Sequence, residues 1–171
     1  KQMPDNAEAL FSLGLLSIQI NQHDDAKHYF KQVIKLGKFV PEANYYLGQI
    51  AENKKQFTDA LTFYKAVDQG DGYLDAQLRV VGLLAKQGEI AAARTHLQGI
   101  QIQDAQQAKL IQMAEADLLS EEKHYDQAMQ IYNAALNAMP QDDTLLYGRA
   151  MLAEKMDRLD ILERDLHAIL A

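Results

Sequence analysis

Three glycines, Gly14, Gly48 and Gly82, follow one another at intervals of 34 residues. The same interval separates Ala26 from Ala60, Phe30 from Tyr64, and Val33 from Val67. A fixed period of this length marks a chain of stacked structural units, none of which buries its apolar face alone. The chain of 171 residues has room for five such units. Stacked helical hairpins act through extended surfaces, so function is to be sought on a face and not in a catalytic cleft.

Composition agrees with helix. Alanine, leucine, glutamine and charged residues dominate, only three prolines occur, and the hydrophobic share of 48% suffices for a continuous core. The net charge of −7 is interleaved along the chain, without a basic stripe or an acidic tail, so no nucleic-acid partner is expected. Cysteine is absent, which removes disulfides and thiolate metal sites and leaves the compartment undecided. No apolar run reaches the roughly 18 to 20 residues of a membrane span, so direct membrane insertion is not expected. The sequence opens at Lys1 within a polar stretch, the expectation for a piece of a longer repeat protein.

Apolar residues at three- and four-residue spacing divide the chain into hairpins over about 4–37, 38–71, 72–103, 104–139 and 140–171. The first opens at about Pro4, turns at Asn21 to Asp25, and continues with Ala26, Phe30 and Val33. Pro41 suits the first turn of a helix, where its missing N–H costs nothing. Gly70-Asp71-Gly72 breaks the chain before the third unit. Ala93 follows Ala60 by 33 residues, so the third hairpin turn is expected to be one residue short. In the fourth unit Ala116 takes the glycine position. In the fifth, Gly148 precedes Leu162 by 14 residues where other units show 12, which predicts a two-residue insertion. The glycines and Ala116 are expected where two helices cross closely. Phe30, Tyr64, Leu97, Tyr132 and Leu166 are expected to fill the space between units.

Leu13-Gly14, Leu47-Gly48 and Tyr147-Gly148, followed by Ala26/Phe30, Ala60/Tyr64 and Ala128/Tyr132 and closed by Pro140, resemble the tetratricopeptide repeat. The likeness covers essentially the whole chain, although the family's tryptophan-type position holds Leu10, Asn44 and Leu78. It implies an all-α, right-handed superhelical solenoid that works as a protein–protein interaction scaffold or adaptor. A second likeness, over Leu146 to Leu166, is to units of long bacterial repeat proteins, some of them envelope lipoproteins. It implies a periplasmic or outer-membrane-anchored parent in preference to a cytoplasmic one.

In that family the first helix of each unit lines the concave face. By position, the residues carried over are Phe11, Leu15 and Ile18; Tyr45, Gln49 and Glu52; Arg79, Leu83 and Lys86; Met113, Asp117 and Ser120; and Leu145, Arg149 and Leu152. This mixture of anchors and charges suits a peptide or protein partner. The carboxylate clamp of chaperone-binding members is missing, since Phe11, Leu15 and Tyr46 occupy its positions. The apolar stripe of Leu159, Leu162, Leu166, Ile169 and Leu170 lacks a polar capping helix after it. Self-association through Leu162, Leu166 and Ile169 is therefore expected. The alternative reading is a structural spacer or self-association module without a groove ligand.

No catalytic constellation is visible, and no cofactor is expected. The five histidines are scattered, with His23 and His124 at hairpin turns where solvent is the default. The pairs Asp24-Asp25, Glu121-Glu122 and Asp142-Asp143 are sequence neighbours, which diverge on a helix and suit caps better than acid–base chemistry. An enzyme is not expected.

Overall fold

The computed structural model describes residues 6–170. Pro4, the expected opening of the first unit, and Ala171 lie outside them. Ten helices follow one another, with no strand among the described residues: α1 (Ala7–Gln19), α2 (His23–Lys35), α3 (Val40–Asn53), α4 (Phe57–Lys65), α5 (Tyr73–Lys86), α6 (Ile90–Gln98), α7 (Ala105–Glu121), α8 (Tyr125–Ala138), α9 (Asp143–Lys155) and α10 (Leu159–Leu170). They group into two compact units, 1–83 and 84–171, with the boundary inside α5.

Every odd-numbered helix ends the same way. Two residues past its end, one residue takes the left-handed conformation: Asn21, Lys55, Gly88, Lys123 and Asp157, with φ between 56° and 79°. The N–H of that residue bonds three residues back, to Ile18, Glu52, Ala85, Ser120 and Glu154. The following N–H reaches five back, to the carbonyls of Ser17, Ala51, Leu84, Leu119 and Ala153, at 2.7–2.9 Å. This pair of bonds is the Schellman closure, which satisfies carbonyls that the helix end leaves free. Five residues beyond each left-handed residue stands Ala26, Ala60, Ala93, Ala128 or Leu162, each starting the buried face of the next helix.

The turns are therefore all of one length, which corrects two expectations. The third turn is not short, and the fifth hairpin carries no insertion. What shifts is the register of the glycine. Counting seven back from the turn residue gives Gly14, Gly48, Val81, Ala116 and Ala150. A β-carbon at Gly14 would lie 2.6 Å from Phe30 of the partner helix, and one at Gly48 2.5 Å from Tyr64, so both mark close crossings. Gly82 is exposed, and a β-carbon there would meet nothing within 4 Å. Val81 and Ala150 are the buried residues at that position. Gly148 makes a different approach: its β-carbon would strike Tyr132, on the last helix of the preceding hairpin, at 2.6 Å.

Helix starts are set by polar side chains where the sequence offers them. The side chains of Asn6, Asp104 and Asp142 accept from the backbone N–H of Ala9, Gln107 and Leu145. Pro41 sits in the first turn of α3, as expected. In unit 1, Ala26, Phe30 and Val33 of α2 interlock with Ala43, Leu47 and Ile50 of α3, all six at 4% exposure or less. Gln77 is buried on α5 and donates its amide to the carbonyls of Val67 (2.6 Å) and Tyr64 (3.3 Å), closing the end of α4. In unit 2, Ala128, Tyr132 and Ala135 of α8 meet Leu145 and Leu146 of α9.

Two ion pairs of unit 2 are withdrawn from water. The buried Lys109 of α7 donates to Asp142 at 2.8 Å, so the carboxylate that caps α9 also binds α7. Asp165 of α10, 1% exposed, receives Arg149 of α9 through Nε (2.7 Å) and Nη2 (2.8 Å), and Arg164 Nε at 3.0 Å. Burial alone would raise the Asp165 pKa. The bonds from Arg149 and Arg164 outweigh it and hold the group below the ordinary carboxylate value.

Candidate functional site

The turn register gives the first helices faces that differ from those the glycine spacing implies. Ten, six and three residues before the turn stand Phe11, Leu15 and Ile18 in the first hairpin; Tyr45, Gln49 and Glu52 in the second; Met113, Asp117 and Ser120 in the fourth. In the third the register gives Leu78, Gly82 and Ala85, and in the fifth Tyr147, Met151 and Glu154. Three site residues, Arg79, Leu83 and Arg149, fall outside this register. Leu83 is 2% exposed and belongs to the interior. Arg149 turns toward α10 and is committed to Asp165, with its Nη1 donating to Asn133 at 2.8 Å. Leu145 and Leu152, carried over with it, are also interior. Counting back from the alanines, instead of inserting residues to keep the glycine, would have found this in the sequence.

In unit 1 the structure brings Tyr45, Gln49 and Arg79 into one network. The Tyr45 hydroxyl donates to Asp75 at 2.6 Å and accepts from the Gln49 amide at 2.9 Å. Arg79 donates to Asp75 (2.7 Å) and to Glu52 (3.0 Å), and its guanidinium lies 5.8 Å from the centre of the Tyr64 ring. Tyr64 donates its hydroxyl to the same Glu52 oxygen at 2.8 Å. Burial, with the neighbouring carboxylates adding to it, raises the pKa of both tyrosines. Asp75 and Tyr64 were not singled out as site residues by the sequence, because their roles come from three helices meeting. Beside this network, Pro41, Glu42, Tyr45, Tyr46, Val67 and the 69–72 turn enclose a pocket of about 310 Å³. Phe11 is spent in an aromatic cluster, stacked on Phe39 at 5.1 Å and edge-on to Phe30 and Tyr46. Leu15 packs on the core below it.

In unit 2 the face holds a pocket of about 250 Å³. Met113, Asp117 and Ser120 come from α7, Tyr132 from α8, and Tyr147, Gly148, Met151 and Lys155 from α9. The absent side chain of Gly148 lets the Tyr132 ring lie against α9, beside the Asp117 carboxylate in the same pocket wall. The protein around Asp117 displaces water and raises its pKa, against the pull of Lys155. Lys155 donates to Ser120 at 3.1 Å across the pocket wall. Tyr147 stands 55% exposed at its edge, a large aromatic ring held in solvent.

In α10, Leu162 and Ile169 pack against the interior of unit 2 and are half-buried. Leu166 is half-buried. The apolar residues left in water there are Leu159 (56%) and Leu170 (83%). His23, expected in solvent, is half-buried, and its Nδ1 has no hydrogen-bond partner among the described residues. Among those residues no group of three or more histidines and carboxylates is placed to hold a metal, and no helix is long and apolar enough to cross a membrane.

Hairpins closed by one repeated turn, with their exposed chemistry on the first helices, define a helical-repeat protein of the interaction class. Two family models described as tetratricopeptide repeat match residues 18–74 and 111–142, together just over half of the chain, and the chain belongs to that family. It is 35% identical over 132 residues to the TPR repeat-containing protein PA4667 of Pseudomonas aeruginosa; the match takes in 77% of this chain and 22% of that protein. A tetratricopeptide repeat protein from Parabacteroides merdae superposes with a TM-score of 0.79 at 18% identity, over 99% of this chain and 66% of that one. YrrB, described as a TPR protein with an unusual peptide-binding site, gives 0.65 at 15% identity, over 96% and 87%. The solved structures establish the fold, an all-α solenoid of TPR units.

Proposed function

We propose that the protein is an adaptor that binds a peptide or protein segment on the first-helix faces, with the α7–α9 face of unit 2 as its principal anchor site. The observation that carries this is the 250 Å³ pocket beside the exposed ring of Tyr147. A pocket of this size takes one apolar side chain between Met113, Met151 and the two tyrosine rings. Asp117 in its lining offers carboxylate acceptors suited to a peptide N–H. Lys155 offers a cation at the rim. The peptide-binding description of YrrB, a structural neighbour, is consistent with this reading.

The test is photo-crosslinking from position Met151 in a native extract, with affinity capture by wild type beside Tyr147→Ala. One crosslinked protein, captured at least about tenfold less by the variant, supports the anchor site. Equal capture by both proteins overturns it and favours the spacer reading. The reading extends to a bacterial setting, which the bacterial origin of the PA4667 relative supports, and within it to the cell envelope. Fractionation of the full-length protein tests that part: recovery in the cytosol rejects it.

A further inference from the structure

The pocket of about 310 Å³ in unit 1, beside α3 and the start of α5, differs in chemistry from the anchor pocket of unit 2. Part of its wall is an aromatic corner. Tyr45 meets Tyr46 nearly edge-on, with ring centres 5.6 Å apart and planes at 78°. Neither ring is loose. Tyr46 is stacked on Phe30 at 5.4 Å, and the Tyr45 hydroxyl is tied to Asp75 and Gln49. The 69–72 turn closes against this corner, where a β-carbon at Gly72 would lie 3.5 Å from the Tyr45 ring. The cavity has room for one long side chain.

The charge of the lining has one sign. Glu42, Asp71 and Asp75 face the cavity, and none of its lining residues is a lysine, arginine or histidine. Arg79, outside the lining, is shared between Asp75 and Glu52. Glu42 and Asp71 have no ion-pair partner among the described residues. Carboxylates alone would not define a site, because water serves them well. Carboxylates around fixed tyrosine rings favour a cation that can also lie against an aromatic face. The chain satisfies one guanidinium in this manner already. Arg79 lies 5.8 Å from the centre of the Tyr64 ring while it donates to two carboxylates.

We infer that this pocket takes the guanidinium of an arginine in a bound peptide, held at the Tyr45–Tyr46 corner with Glu42, Asp71 and Asp75 as counter-charges. The inference rests on the reading that the first-helix faces bind a peptide, and it adds a specificity to that reading. Tyr45 and Arg79 both donate to Oδ2 of Asp75. The carboxylate accepts through either oxygen, so it can serve a further donor. Lysine fits less well. Its ammonium is a compact, strongly hydrated charge, whereas a guanidinium is planar, weakly hydrated and able to stack. Added salt should weaken the binding, since these carboxylates are solvent-exposed.

Amide chemical-shift mapping by NMR tests the inference, with acetyl-Gly-Arg-Gly-amide as probe and its citrulline and lysine counterparts beside it. The arginine peptide should produce saturable shifts at Tyr45, Asp71 and Gly72, with a Kd of roughly 1 mM. Citrulline keeps the shape and loses the charge, and its peptide should bind about fivefold more weakly or worse. The variant Glu42→Gln/Asp71→Asn should weaken the arginine peptide to a similar degree. Both residues are exposed, and an unchanged thermal melt checks that the variant is folded. Tyr147→Ala, in unit 2, should bind the probe as wild type does. Loss of the unit 1 site and loss of the α7–α9 anchor therefore register separately. Four results overturn the inference: no saturable shift at the lining residues; citrulline binding as tightly as arginine, which gives the pocket to a neutral group; lysine binding as tightly, which removes the guanidinium preference; or a double variant that binds arginine unchanged.

Discussion

Replacing Arg149 by methionine isolates the energetics of a buried charge in a helical repeat. Asp165 is 1% exposed and Arg149 13%, and they meet through two short parallel bonds. Methionine retains most of the stem's packing but leaves the carboxylate without its main partner. Breaking such a pair costs about 3–5 kcal/mol. Arg164 still donates to Asp165 from the surface, which puts the expected loss at the lower end, about 3 kcal/mol. For a cooperative unit the size of residues 84–171 this lowers Tm by roughly 12 °C or more. The double variant Arg149→Met/Asp165→Leu removes both charges and should return to within about 1 kcal/mol of wild type. Urea and thermal melts of the four proteins give the coupling directly. A double variant as unstable as the sum of the two single ones, with coupling below about 0.5 kcal/mol, would refute the reasoning. The acid limb adds a second check. The folded pKa of Asp165 lies below its ordinary value, so the pair's contribution is complete above about pH 4 and is lost as pH falls through the lowered value. Arg149→Met should therefore flatten the loss of stability on acidification.

The glycines give a sign contrast. Gly48→Ala forces a β-carbon to 2.5 Å from Tyr64 and should cost about 1–3 kcal/mol by melting. Gly82→Ala, with nothing within 4 Å, should stabilise by about 0.5–1 kcal/mol. At the turns, Lys123→Gly should raise stability by up to about 1 kcal/mol by relieving a left-handed lysine, whereas Gly88→Ala should lower it by about 1–2 kcal/mol. Lys109→Met removes the buried cation from Asp142, whose pKa that bond lowers first among its causes. Its stability deficit should be fully present above about pH 4 and shrink as pH falls through the lowered Asp142 value.

The period of 34 made the fold legible, because at Gly14 and Gly48 any β-carbon would meet Phe30 or Tyr64 of the partner helix. The same signal misled at Gly82 and Gly148. Glycine is also tolerated on an exposed helix face, and at Gly148 it answers to Tyr132 of a neighbouring helix and not to its own hairpin. The constant element is the turn. Its left-handed residue can be asparagine, lysine, glycine or aspartate, so main-chain bonding, invisible in composition, fixes the register. The glycine spacing therefore puts Arg149 and Leu83 on the binding face, where the turn register puts Tyr147, Met151 and Gly82. The Arg149–Asp165 pair was equally hidden, since Asp165 stands inside an apolar stripe and its partner is 16 residues away across a turn.

That distance has a consequence for how such arrays are inherited. Arg149 and Asp165 lie on the two arms of one hairpin, so a duplication or exchange that moves the whole hairpin copies both charges together. A crossover within the turn at Asp157 would join one arm to a foreign partner and strand a carboxylate in the interior. Viable genetic seams are therefore not expected inside the fifth hairpin, and the boundary before it is constrained in the same way, because the buried Lys109 and its partner Asp142 lie on either side of it.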